Sequence, residues 1–116
     1  MFYIINNFAW HSRIVESEEL NCKRIVSSMI PAVRIRIAEV LDSRYGYKQK
    51  DIAAKLGVVQ VAVSKYLNKK YSKAVEREKE ELKDRIEKEG LVDAIIKCND
   101  PNEVNYRIER FCEGTA

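Results

Sequence analysis

Apolar residues recur every three or four positions along most of this chain, which is the spacing of an amphipathic helix. The spacing predicts helices over residues 17–28, 31–44, 73–89, 91–98 and 101–113, and a pair of short helices within 49–68. The scarce glycines and prolines stand at expected helix ends and first turns. Alternation typical of strands is confined to residues 2–10, where a short hairpin could form around Asn6 and Asn7. We therefore predict an all-α fold.

Residues 49–68 meet the requirements of two short helices that cross steeply through a tight turn. Ile52 and Leu56 supply an apolar face for the first helix, and Ala53 is the small residue needed where the second helix crosses. The link must reverse the chain within a few residues, which favours a positive φ and hence Gly57. Further apolar side chains fill the corner and return the second helix to the core: Val58, Val63 and either Tyr66 or Leu67. This combination predicts a helix-turn-helix, and an ordinary helical hairpin with a glycine turn is the alternative.

Charge is distributed very unevenly behind a net value of +3. Residues 1–42 sum to zero, residues 43–73 to +7, and residues 74–116 to −4. The positive charge therefore lies in one block of the chain that contains the paired helices. A concentration of this sign and size attracts a phosphate backbone.

The segments in and around this block resemble the helix-turn-helix regulators of the Cro and phage-repressor class, and above all short archaeal transcriptional regulators. The matching segments are Pro31-Ala-Val-Arg34, Ile37-Ala38, Tyr45-Gly46, Gln49, Asp51-Ile-Ala53, Leu56-Gly-Val-Val-Gln60 and Ala62-Val-Ser-Lys-Tyr-Leu67. The resemblance covers about residues 20–70 well and the C-terminal helices loosely. It implies a recognition helix at about residues 59–68 that lies in the major groove of double-stranded DNA.

The same resemblance implies which side chains would contact DNA. The groove-facing positions are Val59, Gln60, Val61, Ser64, Lys65 and Asn68. Gln60 can pair with adenine through two hydrogen bonds, and Val61 can contact a thymine methyl group. Ser64 and Lys65 would reach a phosphate or a base edge. The expected contacts to the phosphate backbone come from Lys48, Lys50, Lys69 and Lys70.

Val59 departs from the family pattern. The family often has threonine at this position, where its hydroxyl caps the recognition helix. Valine cannot cap, and the loss of a cap costs about 1 kcal/mol. Either the helix begins elsewhere in this chain, or Val59 itself makes an apolar contact to a base.

We divide the chain into three segments. Residues 1–16 form an apolar N-terminal arm, residues 17–71 the helix-turn-helix DNA-binding domain, and residues 72–116 a C-terminal helical segment. Repressor-type motifs bind as dimers, so we expect a homodimer. Residues 72–116 are the favoured interface, because one thin domain would not bury their apolar stripes alone; the N-terminal arm is the alternative.

The apolar run in the N-terminal arm lacks a basic leader and is shorter than a membrane span. We therefore expect a cytoplasmic protein with no membrane anchor.

The chemistry-bearing residues argue against an enzyme or a metalloprotein. Cys22, Cys98, Cys112 and the single His11 lack metal-ligand spacing, although a bridge between Cys98 and Cys112 is left open. Neither a glycine-rich phosphate loop nor a nucleophile paired with a base is present, and no cofactor or small-molecule ligand is indicated. We therefore expect a sequence-specific regulator of transcription. The alternative is a helix-turn-helix that serves as a protein- or RNA-binding adaptor.

Overall fold

Helices make up nearly all of the part of the protein that the computed structural model describes, residues 22–115. The six α-helices are α1 (Ile30–Ser43), α2 (Gln49–Leu56), α3 (Gln60–Leu67), α4 (Lys73–Lys88), α5 (Leu91–Lys97) and α6 (Pro101–Thr115). Residues 22–115 contain no strand, so the prediction of an all-α fold is confirmed for this range. None of their helices combines the length and apolar character needed to cross a bilayer. The proposed N-terminal arm, 1–16, and the hairpin expected there lie outside the described residues.

The helix that leads into α1 is continuous across the expected break near residues 28–31. Residues 22–24 are helical and pass through a π-helical segment, Ile25–Met29, directly into α1. The wider π turn is marked by the Ile30 N–H, which donates to the carbonyl of Ile25. Because Pro31 lacks an N–H and its ring crowds the carbonyl four residues back, a widened turn accommodates it without ending the helix. From residue 22 onward, the predicted pair of helices is therefore one continuous helix with a π segment.

α1 is the central helix of the described structure and packs against each of the other five. Its residues Val33, Ile37 and Leu41 are fully buried in a core to which α2 to α6 also contribute. The apolar stripes of residues 73–113 are part of this core, with Leu82 and Ile108 among the buried residues. We expected these stripes to remain unburied in a single chain, and that expectation was wrong, because α1 covers them. The homodimer therefore stays a prediction, and unburied apolar stripes no longer support it.

A buried lysine joins α1 to α4. The Lys79 ammonium, whose side chain is 4% exposed, lies 2.8 Å from Glu39 Oε2 and donates a 2.8 Å hydrogen bond to the Tyr71 hydroxyl. Burial by itself would lower the pKa of Lys79, but the bonds to Glu39 and Tyr71 outweigh it and the pKa is raised. Lys79 therefore stays charged and connects α1, α4 and the loop that follows α3.

A second polar contact joins the start of the described chain to α4. Arg24 donates from Nε and Nη2 to the two carboxylate oxygens of Glu78, at 2.7 and 3.0 Å, and the Ser28 hydroxyl lies 3.4 Å from the same carboxylate. Two parallel bonds of this kind fix both the distance and the orientation of the partners. They hold the π segment against the middle of α4.

The cysteines are not bridged. Cys98 and Cys112 are free and buried, and Cys22 is free and exposed. The Cys98–Cys112 disulfide that the sequence left open is therefore absent. Within residues 22–115 no three histidine, cysteine or acidic side chains converge as metal ligands.

Candidate functional site

A three-residue turn connects the two short helices α2 and α3. Gly57 takes the left-handed conformation, with φ 70° and ψ 35°, and the Val58 N–H donates to the Ala53 carbonyl at 3.0 Å. Val59 is extended, and α3 begins at Gln60. On the inner side of the pair, Ile52, Leu56 and Val63 are fully buried and Ala53 nearly so. The predicted positive φ at Gly57 and these predicted core positions are confirmed.

The start of α6 packs directly on this turn. A Cβ atom added to Gly57 would lie 2.7 Å from the Cβ of Pro101, closer than real Cβ contacts come. Glycine is therefore needed here for two reasons, its backbone conformation and the approach of α6. The second reason has no signal in the sequence, because the two residues are far apart along the chain.

Lys55 belongs to the basic block but serves the fold. Its Nζ donates 2.8 Å hydrogen bonds to the carbonyls of Ile96 and Cys98, at the end of α5. Helix C-termini carry unpaired carbonyls and a partial negative charge, which a lysine satisfies. This lysine therefore fastens α2 to α5 and is not among the charges left free for a partner.

The outward side of α3 carries exposed side chains of mixed character, and we call Val59, Gln60, Val61 and Lys65 the α3 outer face. Val59 is 70% and Val61 64% exposed, and Gln60 and Lys65 are also exposed. Valines this exposed are not held by the core of the described chain. The face combines an amide, a cation and two apolar groups, all accessible to a partner.

Ser64 and Asn68, the remaining two predicted groove-facing residues, bind one another. The Asn68 Nδ2 donates to the Ser64 carbonyl at 2.9 Å and to its hydroxyl at 3.3 Å. Ser64 is also half-buried, whereas Asn68 is exposed. These two side chains are therefore less free than the α3 outer face.

Val59 occupies the N-cap position of α3 and makes no side-chain capping bond. α3 thus begins directly after Val59, so the first of the two explanations, a helix that begins elsewhere in the chain, is wrong. The second explanation, an apolar contact from Val59 to a base, stays a prediction. The first turn of α2 is likewise uncapped, with Lys48 at its N-cap and Lys50 inside its first turn. Cations at this end oppose the helix dipole, so both lysines would gain from a bound anion.

The other predicted contact lysines are exposed and lack ionic partners. Ion pairs in the described part of the chain use Arg24, Arg36, Arg44, Lys79 and Arg85. None of these pairs involves the five lysines at the α2–α3 face: Lys48, Lys50, Lys65, Lys69 and Lys70. We call these five the free lysines. The positive charge around α2 and α3 is therefore offset only in part, by exposed Asp51 in the first turn of α2 and by the electrostatic interaction of Lys69 with Glu76.

Lys69 has a property that the sequence does not signal. It is the one residue other than glycine with a positive φ in the described chain, at 58°. Its N–H donates to the Tyr66 carbonyl at 3.2 Å and the Lys70 N–H to the Lys65 carbonyl at 2.9 Å. This pair of bonds is the Schellman motif, which ends helices and normally has glycine at the left-handed position. α3 therefore ends on a lysine held in a glycine conformation.

Comparisons of the chain with known protein families, with curated proteins and with solved structures find no match. The α3 outer face and the free lysines are therefore the grounds on which a function can be proposed. They unite an exposed helix, an excess of positive charge and side chains able to form both polar and apolar contacts.

Proposed function

We propose that the protein is a sequence-specific regulator of transcription that binds double-stranded DNA. In this proposal α2 and α3 form a helix-turn-helix, and α3 enters the major groove. The observation that carries the proposal is the α3 outer face, exposed between lysines that have no ionic partner in the described chain. An α-helix fits the major groove, where base edges offer hydrogen-bonding groups and thymine methyls.

The α3 outer face matches the chemistry of base edges. Gln60 presents an amide that can donate to N7 and accept from N6 of adenine, which distinguishes A·T from other pairs. Val59 and Val61, on either side of it, are exposed apolar groups that would be covered by thymine methyls. The proposed target is therefore a site that contains A·T pairs in defined positions.

The free lysines would provide affinity that does not depend on sequence. Each contact to a phosphate releases condensed counterions, so binding weakens steeply as salt rises. Lys48 and Lys50 stand at the start of α2, and Lys69 and Lys70 just beyond α3, so the two pairs flank the α3 outer face along the chain. A homodimer would place two copies of α3 about 34 Å apart, one helical turn of DNA, on a two-fold symmetric site.

Selection of bound sites from a random duplex pool, with sedimentation of the protein alone and on DNA, tests the proposal. We expect an enriched motif containing A·T pairs, in two symmetric halves. A pool without a motif would contradict sequence-specific binding, and preferential binding of single-stranded or structured RNA would favour the adaptor.

Substitutions on the selected duplex then test the individual contacts. Gln60→Ala should cost about 1–3 kcal/mol on the selected site and relax the preference at one base pair. Replacing thymine with uracil removes only the methyl group, and the resulting loss of affinity should shrink in Val61→Ala. Lys65→Ala should weaken binding to all duplexes and reduce the salt slope by about 1. The matched control is Lys83→Ala, the same change at an exposed position of α4. Equal affinity of all four proteins for every duplex would refute the proposal.

A further inference from the structure

A cavity of about 460 Å³ lies where the end of α4, the start of α5 and the second half of α6 meet. Three arginines, Arg85, Arg107 and Arg110, line it together with Glu89 and the rings of Tyr106 and Phe111. Its volume falls within the range of small-molecule sites, about 300–1,000 Å³. α6 contacts the α2–α3 turn through Pro101, so the cavity begins five residues, about 8 Å, further along that helix. It is therefore separate from the α3 outer face.

The arginines give the cavity an excess of positive charge. Arg107 and Arg110 stand one turn apart on α6, so their side chains emerge on the same side of the helix. Both are exposed, and neither is ion-paired with a carboxylate of the described chain. Arg85 faces the same space from α4 and is paired with Glu89. Three guanidinium groups thus share one lining carboxylate, which leaves Arg107 and Arg110 able to bind an anion.

Two aromatic rings complete the site. The guanidinium of Arg85 lies over the Phe111 ring, 4.5 Å from its centroid. Because Phe111 is only 6% exposed, this stacked pair forms a buried side of the cavity. Tyr106 is 61% exposed, which is unusual for a large ring and places an open aromatic face beside Arg107 and Arg110. A planar group could stack on this ring, and the hydroxyl at its tip could stay in water.

We propose that this cavity binds a small anion that carries a planar ring. Its phosphate or carboxylate group would be held by Arg107 and Arg110, whose forked donors match both groups. Its ring would stack on Tyr106. This inference does not depend on DNA binding, since it uses residues away from α2 and α3.

The surroundings favour a small ligand over a nucleic-acid backbone. Glu89 lines the cavity, and Glu109 and Glu113 are exposed on the same helix. A long polyanion laid along this end of α6 would meet these carboxylates, whereas a compact anion could contact Arg107 and Arg110 at the cavity without reaching all of them.

Calorimetric titration of the full chain with four probes tests the proposal: adenosine monophosphate, adenosine, inorganic phosphate and benzoate. We expect saturable binding of adenosine monophosphate, of benzoate, or of both, tighter than that of adenosine or phosphate alone. A preference between the first two identifies the anionic group. Arg107→Gln and Arg110→Gln should each weaken that binding at least tenfold, as expected for loss of about 1.5 kcal/mol or more from a charged hydrogen bond. Tyr106→Ala should weaken the binding of whichever of adenosine monophosphate and benzoate binds, and it should leave the affinity for inorganic phosphate unchanged.

Arg77→Gln is the matched control, because it removes the same charge from an exposed position of α4 that does not line the cavity. All four substituted side chains are exposed, and unfolding curves will confirm that each variant folds. The proposal is overturned if neither adenosine monophosphate nor benzoate binds saturably up to millimolar concentration, or if the cavity variants bind as Arg77→Gln does. It is also overturned if Arg107→Gln and Arg110→Gln reduce the affinity for duplex DNA but leave the affinity for adenosine monophosphate and benzoate unchanged.

Discussion

Lys69 ends α3 with a φ of 58°, a conformation that costs residues with a Cβ atom about 1–2 kcal/mol. The helices α2 and α4 are followed by Gly57 and Gly90, whose φ values are also positive. α3 alone among these three has a lysine at the corresponding position. Lys69 lies beside the proposed DNA-binding surface. A contact from its ammonium group to DNA would explain why a lysine, and not a glycine, occupies this strained position.

Lys69→Gly should therefore make the protein more stable and its DNA binding weaker. We expect the free energy of unfolding to rise by about 0.5–1 kcal/mol, since relief of strain exceeds the entropy that glycine adds to the unfolded chain. Denaturant unfolding measures this change. Lys70→Gly is the control, because residue 70 does not have a positive φ. It should lose a similar amount of DNA affinity without gaining stability, and an equal stability change in both variants would contradict the assignment of strain.

The three cysteines should differ sharply in reactivity. Burial raises the pKa of the Cys112 thiol to about 11, so the thiolate is scarce at neutral pH. Cys98 is buried as well, and Cys22 is exposed. With a disulfide reagent at pH 7.5 we expect one thiol per native chain to react at once and the other two only as the protein unfolds. Cys22→Ser should abolish the rapid phase, whereas a rapid phase that persists in this variant would contradict the burial of Cys98 and Cys112.

At the scale of the elements, the position of α3 depends on contacts that its own residues do not make. Lys55 ties α2 to α5, and Pro101 brings α6 against the turn at Gly57. The C-terminal helices therefore support the α2–α3 pair directly. Their role in holding this pair is observed in the single chain, whereas their role in dimerisation is a prediction.

Gly57→Ala should be more damaging than the same change at another left-handed glycine. At Gly57 alanine would have to adopt a positive φ, which is unfavourable, and its Cβ would also lie 2.7 Å from the Cβ of Pro101. Gly46 has a φ of 69° and nothing within 4 Å of an added Cβ, so Gly46→Ala isolates the backbone cost. We expect about 1–2 kcal/mol for Gly46→Ala and a further 1–3 kcal/mol for Gly57→Ala. Thermal and denaturant unfolding measure both, and equal losses would show that α6 does not crowd the turn.

At the scale of the whole molecule, polar contacts between distant segments accompany the common apolar core. Glu78 and Lys79 are both buried, and both connect α4 to the helix that contains α1. Hydrogen bonds from Arg24, together with its charge, lower the pKa of Glu78 despite partial burial of the carboxyl. A carboxyl with a lowered pKa stabilises the folded state only while it is ionised.

Stability should therefore decline on acidification, in part through Glu78. The contribution is complete above the ordinary pKa of 4.5 and is lost as the pH falls below that value through the lowered pKa of the folded state. Urea unfolding at pH 7 and at pH 3 measures the loss. Glu78→Gln should lose less stability than the wild type between these values, because it has no charge there to lose. Glu80→Gln, an exposed change on the same helix, should behave like the wild type; identical pH dependence of all three proteins would contradict this role of Glu78.

The sequence by itself determined the features that depend on short-range pattern. The period of its apolar residues predicts the helices, because a helix face repeats every 3.6 residues whatever it packs against. Gly57 predicts the turn, because only a residue without Cβ takes a positive φ at no steric cost. The lysines of residues 43–73 likewise predict a basic surface, since charge follows directly from residue type.

Only the tertiary structure decided which of these residues are free and which are occupied. Lys55 and Lys65 look alike in the sequence, but the first is bonded to α5 and the second is exposed on α3. Lys79 donates a hydrogen bond to Glu39, 40 residues away along the chain, and Arg24 donates one to Glu78, 54 residues away. The presence of Arg85, Arg107 and Arg110 in the lining of one cavity also requires the end of α4 and the second half of α6 to lie near each other in space. Such contacts depend on how helices cross in space, which the pattern within any one helix does not specify.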